Sequence, residues 1–297
     1  MNTFNKILFL FALTIFSFNI SWGQSEINLL LRPSDSLNIA RRNAVVVAES
    51  AFYVAGMIQM NKPLTSDHFN AKFHFVSDNV SCLQMDKANH IFVSYQIGNL
   101  FSNALQWSGV SKKNQLIYGA GMGFVFLNSI ELADGFSKKG ASYGDVIANS
   151  IGTSLFVSQE LLWKEQRIIP KWSCGTSGFV CANPEKTKSQ LMGTLDKETI
   201  WLSVNLHSFF KASKIPKWMN LAIGYGTEGV DYRPRILGTK QVKFHQYYFS
   251  FDADLTKIDT KSHFLKTVFS VVNVVKIPAP TFEINEKGDS KIYFFYF

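Results

Sequence analysis

The chain changes its hydrophobic rhythm twice. Residues 7–20 are an almost unbroken apolar run rich in Phe and Leu, preceded by Lys6 and followed by the small residues Ser21 and Gly23. That is the layout of a secretory signal cleaved before Gln24, which sets residues 1–23 apart from the folding unit. No Cys lies near the cleavage point, so a lipid-modified N-terminus is not expected. After the turn signal Pro33-Ser34-Asp35 the spacing predicts a helix over 36–60, apolar across 44–58 except for Glu49, Ser50 and Gly56, and stopped by Pro63. A short extended piece follows at 71–78, with Phe73 and Phe75 on one face and His74 on the other.

Three more helices are expected at 86–107, 114–133 and 144–163. Each is largely apolar, yet amides and charges break every one: Gln96, Asn99 and Asn103 in the first, Asn149, Gln159 and Glu160 in the third. None is a clean apolar span. The middle one fits lipid best, and its Gly119, Gly121 and Gly123 permit close helix contact. A membrane-embedded or membrane-apposed bundle and a soluble periplasmic one both remain open.

Beyond Trp163 the period falls to two. Residues 199–209 alternate Ile200, Leu202, Val204 and Leu206 with Trp201, Ser203, Asn205 and His207, and 218–226, 244–255 and 291–297 are also strand-like. Between them, 262–275 suits an amphipathic helix ended by Pro278 and Pro280. The expected fold is therefore α+β, an N-terminal bundle of about four apolar helices followed by a β-rich C-terminal part with one amphipathic helix. The expected divisions are 1–23 (signal), 24–166 (helical) and 167–297 (β-rich). The last residues, Ile292 to Phe297, end as outer-membrane barrel strands do, although four or five strands fall short of the eight a barrel needs. A last strand packed against the core explains them as well.

Composition narrows the class. With 297 residues, 46% hydrophobic, 18% charged and 27 Phe, the chain is too apolar to be disordered. Its net charge of +8 becomes +7 once the single charge of residues 1–23, Lys6, is removed (8 − 1). In an exported protein that excess points to membrane lipid or another envelope component rather than nucleic acid. Three cysteines exclude a disulfide framework. Cys174 and Cys181, separated by a stretch holding Gly175 and Gly178, could close one small loop, leaving Cys82 unpaired.

The chemistry-bearing residues recur at helical spacing. Asp86, His90 and Ser94 share one face, Glu131 and Asp134 close the second helix, and Asp145, Asn149 and Gly152 share a stripe on the third. A carboxylate in an apolar bundle is costly unless paired, hydrogen-bonded or bound to a cation, and two adjacent carboxylates can act as acid beside base. His90, Glu131 and Asp134 are the catalytic candidates, with Asp86, Asp145 and Asn149 as a binding or structural cluster. His90, Glu131, Asp134 and Asp145 could equally hold a hard divalent cation; no other cofactor is expected. Structural uses exist for the same residues: Asp86 as an N-cap, Ser142-x-x-Asp145 as a capping box, Asp134-Gly135 as a turn. The other histidines, His68, His74, His207, His245 and His263, are assigned no role. The chain has no G-x-S-x-G and no phosphate-binding glycine loop.

The run Leu83-Gln84-Met85-Asp86-Lys87-x-x-His90, then Glu131-x-x-Asp134-Gly135-Phe136-Ser137, then Ser142-x-x-Asp145-x-x-x-Asn149-x-x-Gly152 resembles the YfiM-like periplasmic envelope family. Later pieces, Trp201-Leu202-Ser203-Val204-Asn205, Gly224-Tyr225-Gly226-x-Glu228-Gly229 and Lys276-Ile277-Pro278-Ala279-Pro280, resemble its longer Bacteroidetes members. The D-K-x-x-H start and the S-x-x-D-x-x-x-N-x-x-G close are also similar to VanZ-like membrane proteins. Asp134 stands where those carry Gln, and their following Arg is missing, with Lys138 and Lys139 nearby. The resemblance implies an envelope location, most naturally the periplasmic face of the outer membrane, and no particular reaction. The expectation is thus a membrane-associated envelope protein with a structural polar cluster. The alternatives are a hydrolase or transferase acting on envelope lipid or cell wall through that cluster, and a small outer-membrane barrel with a periplasmic helical domain.

Overall fold

The computed structural model describes residues 21–61, 72–77, 81–174, 198–228 and 243–296. Residues 1–20 of the expected signal segment, Cys181 and the side chain of Cys82 lie outside the described parts. Seven helices are present among the described residues: α1 (Ser21–Leu31), α2 (Ile39–Asn61), α3 (Met85–Trp107), α4 (Lys112–Gly135, with a π-helical stretch at Gln115–Ala120), α5 (Tyr143–Leu162), α6 (Leu206–Phe209) and α7 (His263–Val272). The strands are β1 (Phe75–Val76), β2 (Ala141–Ser142), β3 (Ile168–Cys174), β4 (Glu198–Asn205), β5 (Met219–Glu228), β6 (Phe244–Ala253), β7 (Ala279–Asn285) and β8 (Ser290–Tyr296).

Helices α3, α4 and α5 form the helical centre. They approach closely because small residues meet backbone: a Cβ on Gly123 of α4 would collide with the Ser94 carbonyl of α3, and one on Gly152 of α5 with the Ile91 carbonyl. Ser94 Oγ then reaches across to donate to the Asn149 carbonyl at 2.8 Å. The two-residue parallel pair β1–β2 ties the chain before α3 to the start of α5.

Strands β3 to β8 form one antiparallel six-stranded sheet in sequence order. The edge of β3 is covered: Trp172 N–H donates to the Val274 carbonyl (3.0 Å) and Lys276 N–H to the Trp172 carbonyl (2.9 Å). Helix α3 crosses the opposite face of β4, where Met85 packs on Ile200 with Trp172 and Tyr225 beside it.

Burial in this sheet is inverted relative to a water-soluble sandwich. Thr199, Trp201, Ser203 and Asn205 of β4 are buried, whereas Leu202 between them is exposed. In β6, Gln246, Tyr248, Ser250 and Asp252 point in and Tyr247, Phe249 and Phe251 point out. The interior holds a ring cluster of Trp201, Tyr248 and Tyr296 (centroids 4.9–5.9 Å apart) and polar groups around it. Thr199 Oγ1 and the Tyr296 hydroxyl meet there at 3.0 Å. The helices repeat the inversion in part: Gln115 and Glu131 of α4 are buried beside Phe126 and Leu127 while Ile117, Val125 and Leu132 face outward, and in α5 Asp145, Asn149 and Gln159 are buried beside Phe156 while Ile147, Leu161 and Leu162 are not.

Two expectations need correction. The N-terminal bundle of about four apolar helices does not form. Helix α1 lies outside with mostly exposed side chains, α2 touches the centre along Phe52, Tyr53 and Gly56 against Phe101 and Phe126, and the interior shared by α3, α4 and α5 sets the polar cluster beside apolar ones such as that of Tyr95, Ala120 and Phe156. The β-rich part has six strands in its sheet rather than four or five. Strands β3 and β7 escape a pattern reading because Pro170 and Lys171 interrupt one, Pro280 sits inside the other, and the inward residues Thr281, Glu283 and Asn285 are polar. The amphipathic helix is present as α7. The final strand does not pack its apolar residues on the core: Ile292, Phe294 and Phe295 are 72–80% exposed, and Tyr296 is the residue that turns in.

Candidate functional site

The three central helices bring Asp86, His90, Glu131, Asp145 and Asn149 to one place, through their positions at i, i+4 on α3, near the end of α4, and at i, i+4 on α5. His90 Nδ1 lies 2.8 Å from Asn149 Oδ1. An amide oxygen only accepts, so Nδ1 carries the proton and Nε2 is the free nitrogen of the neutral ring. Asn149 is held in that orientation by its other end, where Nδ2 donates to Asn128 Oδ1 at 3.4 Å.

His90 Nε2 faces two carboxylates, Asp145 Oδ2 at 3.7 Å and Glu131 Oε1 at 4.0 Å. Glu131 Oε2 accepts the Ser142 backbone N–H at 3.0 Å, which fixes the carboxylate against the start of α5. Donor atoms of His90, Glu131 and Asp145 all lie within 4.8 Å of one another. The carboxylates are sealed, at 3–4% side-chain exposure, while the imidazole is 21% exposed and forms the open edge.

Lys87, which spacing alone does not single out, is the central counter-ion. Its Nζ lies 2.8 Å from Asp86 Oδ2 and 2.9 Å from Asp145 Oδ1. Its sequence signal is its place in the Asp86-Lys87-x-x-His90 run. Asp86 does not act as an N-cap: Gln84 occupies the cap position in a left-handed conformation, and Asp86 Oδ1 is buried with no hydrogen-bond partner. Ser142 does cap α5, accepting the Asp145 N–H at 3.2 Å, but the Asp145 carboxylate turns to Lys87 and His90 rather than back to the cap. Asp134 departs from the group. The chain turns after Gly135, and Lys139 takes the Asp134 carboxylate at 2.5 Å.

Residues 74–159 match the family model described as predicted periplasmic lipoprotein (DUF2279). No curated protein and no solved structure matches the chain. The matched stretch contains every residue of the cluster and supports a periplasmic, cell-envelope protein. It names neither YfiM-like nor VanZ-like proteins.

A second buried polar group sits inside the sheet, and the sequence reading missed it. Lys171 and Asp252, both fully buried, pair at 2.9 Å. Lys171 Nζ also donates to the Ala253 carbonyl (2.7 Å) and Asn273 Oδ1 (2.9 Å), and Asp252 accepts from Ser203 Oγ (2.6 Å) and the Ile277 N–H (2.9 Å). Such saturation offsets the several kcal/mol that each desolvated ion costs. Lys276 lies beside the pair with its ammonium 4.7 Å from the Trp201 ring centroid. Burial pushes it down to about 8, Asp252 pulling the other way and Lys171 adding to the fall. The signal available in sequence was lysine at an inward strand position.

Proposed function

We propose that this chain is a membrane-embedded protein of the cell envelope, with its outward helix and sheet faces against acyl chains and its polar residues enclosed. The observation that carries the reading is the inverted burial of the sheet, in which Leu202, Ile223, Phe249 and Ile284 face out while Ser203, Ala222, Ser250 and Glu283 face in. In water each of these half-exposed side chains would forgo half of the roughly 1.5–3 kcal/mol that full burial gives; against lipid none does. Three elements also have spanning length: α4 is 24 residues, with an 18-residue window of mean hydropathy 1.4 that is 39% buried, and β5 and β6 have 10 residues each, whereas β3, β4, β7 and β8 have 7 or 8. The reading predicts that the protein stays in the membrane pellet after an alkaline carbonate wash of the envelope fraction; complete release into the supernatant overturns it.

The cluster between α3, α4 and α5 first serves as a polar tie among three helices that have apolar exteriors. A second reading, acid–base chemistry on envelope lipid or cell-wall material with His90 and Glu131 in the lead, is favoured by the open imidazole edge. His90→Gln and Glu131→Gln at normal abundance separate the two: a phenotype without loss of protein supports chemistry, and loss of protein alone supports the tie.

A further inference from the structure

We propose that His90 Nε2 and the carboxylates of Glu131 and Asp145 form a binding site for one first-row divalent cation, Mn²⁺ or Zn²⁺. The donor set is one imidazole nitrogen and two carboxylates, which suits these ions better than Ca²⁺ or Mg²⁺ with their all-oxygen shells. The inference stands independently of the lipid-facing reading.

The geometry is that of a site one short step from closure. Metal–donor bonds of about 2.0–2.2 Å put neighbouring donors roughly 3.4 Å apart in a tetrahedral shell. Here Nε2 stands 3.7 Å from Asp145 Oδ2 and 4.0 Å from Glu131 Oε1, and all three donors lie within 4.8 Å of one another, so side-chain adjustments of about 1 Å or less bring them onto one ion. The imidazole is already set up as a ligand, because Asn149 holds the proton on Nδ1 and leaves the Nε2 lone pair facing the carboxylates. Glu131 is braced by the Ser142 N–H in the same way.

Two further observations point to a cation. Asp86, beside the triad through their shared contact with Lys87, keeps a buried oxygen without a hydrogen-bond partner. Among the described residues of the cluster, three carboxylates (Asp86, Glu131, Asp145) meet one ammonium group (Lys87), an excess of negative charge that a divalent ion would offset. Lys87 does not block the site, since it approaches Asp145 through Oδ1 and leaves Oδ2 for the ion. The exposed imidazole edge supplies the entry path and room for water or a substrate oxygen in the remaining coordination positions.

The test uses the full chain purified in detergent, stripped with a chelator and titrated with Mn²⁺ and Zn²⁺ by calorimetry, with elemental analysis after dialysis. The expected result is about one ion per chain and an unfolding midpoint raised by the metal. His90→Gln and Glu131→Gln, checked for wild-type circular dichroism, abolish the binding, and Asn149→Ala weakens it by about 10–100-fold through loss of the Nδ1 brace. His207→Ala, on a histidine far from the cluster in sequence and bonded to the Ile215 carbonyl, leaves binding unchanged. A folded wild-type chain that binds neither ion overturns the proposal, as does binding that survives both His90→Gln and Glu131→Gln. Carbonate release of the protein would not touch this result, so the two readings fail separately.

Discussion

His90 donates through Nδ1 to Asn149 Oδ1 at 2.8 Å, a bond that links α3 to α5 and decides which imidazole nitrogen is free. Replacing Asn149 by Leu leaves a donor unsatisfied and removes the bond to Asn128. The expected cost is about 1–3 kcal/mol, seen as a lower melting midpoint. Nitrogen NMR of the labelled imidazole should show the Nδ1-protonated tautomer in the wild type and a tautomer mixture in the variant. A wild-type ring protonated on Nε2 would contradict the arrangement.

The contact of α3 with α4 depends on Gly119 and Gly123 and not on Gly121 between them: a Cβ at Gly119 would meet the Ser102 backbone of α3. A Cβ at Gly123 meets the Ser94 backbone, which cannot swing aside, whereas one at Gly121 meets nothing within 4 Å. Gly123→Ala should destabilise by about 1–3 kcal/mol. Gly121→Ala should be neutral or stabilising by roughly 0.5–1 kcal/mol through helix propensity. Thermal unfolding of the two variants in the same detergent checks the contrast.

Lys276 makes stability depend on alkaline pH. Its folded value, about 8, lies below the ordinary 10.5, so the charged form is disfavoured by folding. Below pH 8 the lysine is charged in both states and folding bears the full penalty, on the order of 3 kcal/mol. Stability should therefore rise between pH 8 and 10.5 and level off above. Lys276→Met should be more stable than wild type near neutrality and lack that rise. Parallel pH curves for the two proteins would refute the assignment.

What could be read in the sequence was where elements lie and which polar residues share a helical face. The four-residue steps Asp86–His90 and Asp145–Asn149 put these side chains on facing stripes, and the helices do bring them together. Asp134 was expected with them because it follows Glu131 by three, but the turn after Gly135 brings Lys139 back onto it. The strand expected over 199–209 forms only as Glu198–Asn205, since Asn205 caps a helical turn at Leu206–Phe209 that the alternation ran through; and alternation is symmetric: it does not say whether Ile200 and Leu202 or Trp201 and Ser203 face inward. That choice depends on what surrounds the fold, which is why the polar interior, the Lys171–Asp252 pair and the strands at Pro170 and Pro280 came only with the structure.

The proposed lipid-facing exterior is tested most directly by spin labels placed singly at Ile223, Phe249 and Ile284, in a Cys82→Ser background reconstituted into liposomes. These side chains stand outward on adjacent strands, with Ile223 paired to Phe249 in register. The account predicts high collision rates with oxygen and strong shielding from a water-soluble nickel chelate at all three. Free access of the nickel chelate to these positions would contradict it.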